Sequence, residues 1–368
     1  MTNFRVMLGK KLFKTGILAI LLVPLLWFNP VASAKSILPG GNAITDGQAL
    51  LRYALPIDNK PIRQIQSKIE DISNHLRGKR WNPISKDVND AGKLLNTKQS
   101  DILASIIPER QPAAQTLIAD LQKTVESLKN AVNAKDKEQT WIYRAESLKL
   151  IGQIEQAMIS QFPFEIPKEY SNLPQLQGRA TIEMATTKGK ITLIVDGYSA
   201  PVTAGNFVDL VERGFYTNLP FTRAEESYVL QVGDPPGPEQ GFIDPTTGKY
   251  RAIPLEILVK GDKEPTYGIT LEDAGRYLDQ PVLPFSAYGA VAMARPESEP
   301  NGGSSQFFFF LFEPELTPAG LNLLDGRYAI FGYVIDGKDV LGKLKAGDMI
   351  ESAKVIQGGE NLKQPQAV

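Results

Sequence analysis

Residues 304–312 read SSQFFFFLF, and the fold turns on how the four central phenylalanines divide. In an extended strand successive side chains point to opposite sides. Phe307 and Phe309 therefore share one face, and Phe308 and Phe310 the other. One face belongs to a core. The other needs packed chain or a ligand over it, because a bare aromatic pair would be an exposed apolar patch. Short strands recur on either side. KITLIVD at 190–196 alternates Ile191, Leu193 and Val195, and residues 180–186 supply a hairpin partner across Lys188-Gly189. Further runs lie at 228–232, 289–294, 329–335 and 349–356. Residues 201–214 read as a helix, with Pro201 at its start, Phe207, Leu210 and Val211 inside, and Gly214 at its end. Many short strands with few helices predict a closed antiparallel barrel with helices at its ends.

Upstream the period changes. Ile62, Ile65, Ile69, Ile72 and Leu76 step by three and four, which draws one helical stripe. Asn59 can cap that helix, and Pro61 suits its first turn. A second helix opens at Asn82-Pro83, a third after Pro112 and a fourth after Asp136, with a shorter one at 48–55 ahead of them. Amphipathic helices joined by short connections pack best as an antiparallel bundle. Their stripes are Leu, Ile and Val without facing carboxylates or imidazoles, which reads as plain core rather than a cofactor site. FPFEIPKEYSNLPQLQG at 162–178 carries three prolines and ends in glycine, and marks the junction. The class is therefore α+β with two domains. The expected boundaries are a leader at 1–34, a helical bundle at 35–168 and a linker at 169–178. A barrel domain at 179–360 follows, with an insertion at about 235–285, and then a tail at 361–368.

The leader has a positive start (Arg5, Lys10, Lys11, Lys14), an apolar run from Ile17 to Phe28 and Ala32-Ser33-Ala34. That is the pattern of a secretory signal, with the mature chain beginning near Lys35. An uncleaved anchor is the alternative, but the run is short and holds Pro24. No twin arginine is present, so the expected route is Sec export. No later segment is apolar enough to span a bilayer. The net charge of −1 disfavours generic nucleic-acid binding.

The chain has no cysteine and one histidine, His75. Thiolate chemistry, disulfides and His-cluster metal sites are excluded, and no metal or other cofactor is expected. His75 itself reads as a solvated side chain on a polar helix face. No Walker loop, GxSxG or HExxH is present. NGGSSQ at 301–306 leads into a strand rather than a helix, so phosphate cradling is not expected there. What stands out is FTRAEESYVLQVGD at 221–234, which sets Arg223 eight residues before Gln231 on strands neighbouring the phenylalanine run. A catalytic role and a surface ion pair are both open for Arg223.

Five blocks in order resemble a cyclophilin, a peptidyl-prolyl cis-trans isomerase. They are PVTAGNFVDLVERGFY (201–216), FTRAEESYVLQVGD, AYGAVAMA (287–294), GSSQFFFF (303–310) and LLDGRYAIFGYV (323–334). The whole chain resembles a narrower group, the multidomain cyclophilins of the thylakoid lumen in plants and cyanobacteria. GFIDPTTGKYRAIPLEI (241–257) and YGITLEDAGRYL (267–278) are similar to that group's insertion. The resemblance implies an eight-stranded antiparallel barrel capped by two helices, behind a bundle similar to a small extrinsic subunit of photosystem II. It implies action on proline-containing protein segments, photosystem II subunits among them, in assembly or repair. The expected location is the thylakoid lumen, or alternatively the periplasm.

Residue by residue, the resemblance implies Arg223 and Gln231 as catalytic. It implies Tyr228, Val229, Met293, Ala294, Gln306, Phe308, Leu323, Leu324 and Tyr328 as substrate-binding. Four of these depart from the family pattern. Tyr228 and Val229 stand for an aromatic and a methionine, Leu323 for a tryptophan and Tyr328 for a histidine. The family tryptophan donates its indole N–H to cyclosporin, so weak cyclosporin binding is expected here. The retained residues imply an isomerase. The departures rebuild the pocket wall and leave open a non-catalytic module that holds proline-containing segments.

Overall fold

The computed structural model describes residues 44–245, 247–312 and 322–365. The leader, its cleavage site after Ala34 and the expected start at Lys35 lie outside the described residues. So do the last three residues of the tail.

The chain opens with α1 (Gly47–Ala54), α2 (Lys60–Leu76), α3 (Trp81–Thr97), α4 (Gln99–Leu103), α5 (Gln111–Asn133) and α6 (Lys137–Ala157). The sequence signals act as read. Asn59 accepts the Ile62 amide at 3.0 Å with Pro61 in the first turn of α2, and Asp136 caps α6 by accepting from Gln139 at 3.0 Å. α2 packs on α3, α3 on α5, α5 on α6, and α6 closes back on α2. The Ile62–Leu76 stripe is fully buried and meets Ile84, Leu121, Leu128 and Ile151 in one core. Each such side chain contributes about 1.5–3 kcal/mol by leaving water.

The strands are β1 (Gln175–Leu176), β2 (Arg179–Thr186), β3 (Gly189–Asp196), β4 (Leu219–Glu225), β5 (Val229–Val232), β6 (Glu256–Ile257), β7 (Thr266–Tyr267), β8 (Ala290–Met293), β9 (Phe307–Phe310), β10 (Ile330–Asp336), β11 (Met349–Gln357) and β12 (Leu362–Lys363). Eight of them close an antiparallel barrel in the order β10-β3-β2-β11-β4-β5-β9-β8. Two helices, α7 (Pro201–Glu212) and α8 (Lys338–Leu341), pack into its core. Phe207 of α7 meets Phe307 edge-on, with ring centroids 5.1 Å apart. The alternation read from SSQFFFFLF places Phe307 and Phe309 inside this core. Phe308 and Phe310 fall on the outer face, in a second apolar cluster.

That outer cluster is where the helical part meets the barrel. Leu50, Leu51 and Ala54 of α1 belong to it, together with Phe285, Phe310 and Tyr333. Gly47 comes so close that a Cβ there would lie 2.7 Å from the Tyr333 Cβ. Arg179 donates to the Leu51 carbonyl while pairing with Asp196 at 2.9 Å. Residues read as a linker and a tail do not hang free. Gln175 and Leu176 pair with Lys363 and Leu362 as the two-stranded sheet β1-β12.

The insertion carries β6 and β7, which pair with each other, and it is bolted to α7. Arg251 binds Asp209 at 2.6 Å and lies over the Phe242 ring at 4.5 Å. Glu256 accepts the Val202 amide at 3.3 Å and the Thr203 amide at 2.9 Å, at the start of α7. An anion there is favoured by the helix dipole. Full burial nonetheless pushes its carboxyl up to about 7. No helix among the described residues is long and apolar enough to cross a membrane.

Candidate active site on the outer barrel face

Register builds the site. Arg223 on β4 stands opposite Gln231 on β5, Gln231 opposite Phe308 on β9, and Phe308 opposite Ala292 on β8. Cross-strand partners share a face, so these residues form one row on the outside of the barrel. A register irregularity between Phe221 and Arg223 makes the row possible. Simple alternation would send both residues the same way. The bulge keeps Phe221 in the core and turns Arg223 outward.

A cavity of about 500 Å³ opens over this row. Arg223, Tyr228, Val229, Gln231, Ala294, Gln306, Phe308, Leu324 and Tyr328 line it together. Phe308 forms an apolar floor. It is only 6% exposed, stacks on Phe285 with ring planes 4° apart, and takes Tyr328 edge-on at 5.5 Å. Leu324 is set by the turn that follows. Asp325 accepts the Phe285 and Asn322 amides at 2.7 and 3.2 Å, and its own burial lifts its carboxyl to about 6.

Two residues in the sequence reading stand elsewhere. Met293 faces the barrel core with Phe307, its register partner, and does not line the cavity. Its neighbours Ala292 and Ala294 point outward, so strand alternation alone sends Met293 inward. Leu323 is 89% exposed and also lies outside the cavity, because the turn at 322–327 presents Leu324 and Tyr328 instead.

The sequence reading missed six lining residues, Gln240, Tyr250, Arg295, Pro296, Gly302 and Ser304. Arg295 lies over the Tyr328 ring at 5.1 Å and is held by the Arg327 carbonyl at 2.7 Å. Gln240 and Tyr250 come from the insertion and complete one wall. The Gln240 carbonyl accepts from Gln306 at 2.9 Å. Gln306 in turn accepts from Gln231 at 2.7 Å, so the insertion reaches the site through a chain of amides. No motif announced Gln240, Tyr250 or Arg295. Tyr250 sits against a glycine, Gly241, whose Cβ would lie 2.6 Å from its ring, and that glycine was the only local sign.

The electrostatics are simple. Arg223 is half-exposed and donates from Nε and Nη2 to Oε1 of Glu225, at 2.7 and 2.6 Å. Among the described residues, none of the helical bundle lines the cavity. A larger cavity of about 1220 Å³ lies where α6 meets the barrel, and none of the candidate residues faces it. Asp71, His75 and Asp87 gather on the bundle. There the Lys68 ammonium already binds Asp87 at 2.9 Å, and His75 is half-buried against Asp71 at 3.3 Å rather than solvated.

Comparison with known proteins identifies both parts of the chain. Residues 181–360 match the cyclophilin type peptidyl-prolyl cis-trans isomerases. Residues 46–159 match the PsbQ-like domain of the CYP38-like peptidyl-prolyl cis-trans isomerases. A Synechocystis protein, whose name describes a thylakoid lumen peptidyl-prolyl cis-trans isomerase, is 61% identical over 88% of this chain and 85% of its own. The chloroplastic isomerase CYP38 of Arabidopsis thaliana is 46% identical over 92% of this chain and 79% of its own. Chloroplastic CYP37 of the same plant is 32% identical over 91% and 75%. The chain belongs to the cyclophilin-type peptidyl-prolyl cis-trans isomerases, in the group that carries a PsbQ-like helical domain ahead of the barrel.

Proposed function

We propose that this chain isomerises X–Pro bonds of thylakoid-lumen proteins in the cavity over Phe308, with Arg223 as the catalytic residue, and that photosystem II subunits are among its clients. The row Arg223–Gln231–Phe308 carries the catalytic reading. The barrier is about 20 kcal/mol and comes from amide conjugation. No nucleophile and no proton transfer are required. The prolyl ring rests on Phe308, between Val229 and Leu324. Gln231 holds the substrate carbonyl. The Arg223 guanidinium donates to the prolyl nitrogen as it becomes pyramidal, a contact available only in the twisted state. A guanidinium keeps its charge at every physiological pH. The lumenal location rests on the names of the Synechocystis and Arabidopsis relatives. The client class rests on the PsbQ-like domain.

The Arg223–Glu225 pair favours a second reading, a module that binds proline-containing segments without turning them over. Protease-free NMR exchange on an Ala-Pro-Phe peptide separates the two. The proposal expects exchange cross-peaks that fall by about 100-fold in Arg223→Ala while peptide shifts persist. Binding shifts without exchange in the unmodified protein would favour the module.

A further inference from the structure

Arg223 and Glu225 lie two residues apart on β4, and both side chains are about half-exposed. Oε1 of Glu225 takes two of the five guanidinium donors, from Nε and Nη2. Glu225 also stands opposite Val229, which lines the cavity. The backbone fixes it there, because its carbonyl accepts the Tyr228 amide at 3.0 Å and Ser227 turns the hairpin with φ 57°. Glu225 does not itself line the cavity; its carboxylate holds the guanidinium from the neighbouring strand position. While the pair is closed, part of the positive charge needed at the prolyl nitrogen is neutralised, and the fork is turned along the strand.

We infer that Glu225 is a positioning residue that makes this isomerase selective for proline segments carrying lysine or arginine beside the proline. A substrate cation within reach takes the Glu225 carboxylate and releases Arg223 toward the prolyl nitrogen. A neutral segment must open the pair without help. A segment with an acidic neighbour meets Glu225 as a like charge and competes for Arg223 as a second carboxylate. Exposed pairs of this kind shift equilibria by a factor of a few, so the selection is graded rather than absolute. Its salt dependence follows, because the Debye length shrinks from tens of ångströms at about 10 mM to about 8 Å at physiological strength.

This inference rests on Arg223 being catalytic, and the test keeps the two apart. Exchange is measured by NMR on the full chain with four-residue peptides bearing Lys, Ala or Glu next to the proline, at 20 and 300 mM salt. Unmodified protein is expected to turn over the Lys peptide about two- to fivefold faster than the Ala peptide at low salt, with the Glu peptide slowest and the spread narrowing at high salt. Glu225→Gln is expected to speed the Ala peptide about two- to fivefold and to erase the spread. Glu225→Asp keeps the carboxylate and should restore the order. Arg223→Ala should lower exchange about 100-fold on all three peptides. If Arg223→Ala falls as expected yet Glu225→Gln leaves both the Ala rate and the spread unchanged, Glu225 does not act this way and the catalytic reading stands. If Arg223→Ala exchanges normally, both fail together.

Discussion

Ile69 of the bundle and Phe308 of the barrel are both buried, and they are buried for different ends. Ile69 is fully enclosed by side chains of its own domain. Phe308 is packed on one side by Phe285 and borders the cavity on the other. In the bundle the stripes of α2, α3, α5 and α6 turn inward and close on one another. The barrel has two apolar faces and can fill only one with its own core. Its outer face is divided between α1, the 282–287 segment and an opening of about 500 Å³. The cavity opens where an apolar face is left without chain to cover it.

Three substitutions test that contrast with the largest expected effects. Phe307→Ala empties a fully buried ring site and should cost about 3–5 kcal/mol of stability. Ile69→Ala should cost about 2–5 kcal/mol and leave peptide exchange at the cavity intact. Phe308→Ala should cost less, about 1–3 kcal/mol, because one side of the ring borders open space. It should also weaken an Ala-Pro peptide by about tenfold or more, the loss of roughly one buried apolar contact. Urea unfolding and NMR titration read both quantities. Equal stability costs at Phe307 and Phe308, with unchanged peptide affinity, would erase the distinction between the two faces.

Much of this division is written in the chain. The three–four steps from Ile62 to Leu76 leave little choice but one helical stripe. The four phenylalanines state their own alternation. The strand carrying Arg223 was legible but its bounds were not, because the bulge between Phe221 and Arg223 breaks the period on which a strand reading depends. The insertion hid its structure for a related reason. β6 and β7 are two residues each, too short for any period, and Glu256 finds its partners at Val202 and Thr203, far away in sequence. Met293 could have been placed by alternation with its alanine neighbours. The exposure of Leu323 depends on turn geometry, which no spacing encodes.

A second contrast concerns buried carboxyls, one in each region. Glu155 in the bundle and Glu256 in the insertion are both pushed up to about 7, burial being the main cause in each. Glu155 lies 3.2 Å from the Arg63 guanidinium, whereas Glu256 accepts from amides and the Thr203 hydroxyl. Their ordinary value is 4.5. Between that value and about 7 the folded chain binds more protons than the unfolded chain, so stability falls as pH rises through this window. Each group can contribute on the order of 3 kcal/mol at full effect. Urea midpoints should therefore be higher at pH 5 than at pH 8. Glu155→Gln and Glu256→Gln should each flatten the slope. A slope that only Glu256→Gln flattens would show that Arg63 keeps Glu155 ionised in the fold, and would separate the two environments.

The smallest expected effect lies at the rim, where the barrel's outer face meets water. The resemblance implies that Leu323 takes the place of a tryptophan whose N–H reaches cyclosporin. Leu323 is 89% exposed, so changing it should leave stability within about 0.5 kcal/mol. Leucine has no donor, and an acceptor on the drug left without a partner costs about 1–3 kcal/mol where water is excluded. At so exposed a position water can serve that acceptor, which puts the loss at the low end. Leu323→Trp should accordingly gain about fivefold in cyclosporin affinity, near 1 kcal/mol. It should leave an Ala-Pro peptide unchanged, because the proposed seat of the proline, Phe308 and Leu324, lines the cavity and Leu323 does not. Calorimetry with both ligands on both proteins gives the comparison. A gain of 100-fold would mean that the drug encloses Leu323 on binding, and that the cavity wall extends along the turn at 322–327 as far as the outward-facing side chain.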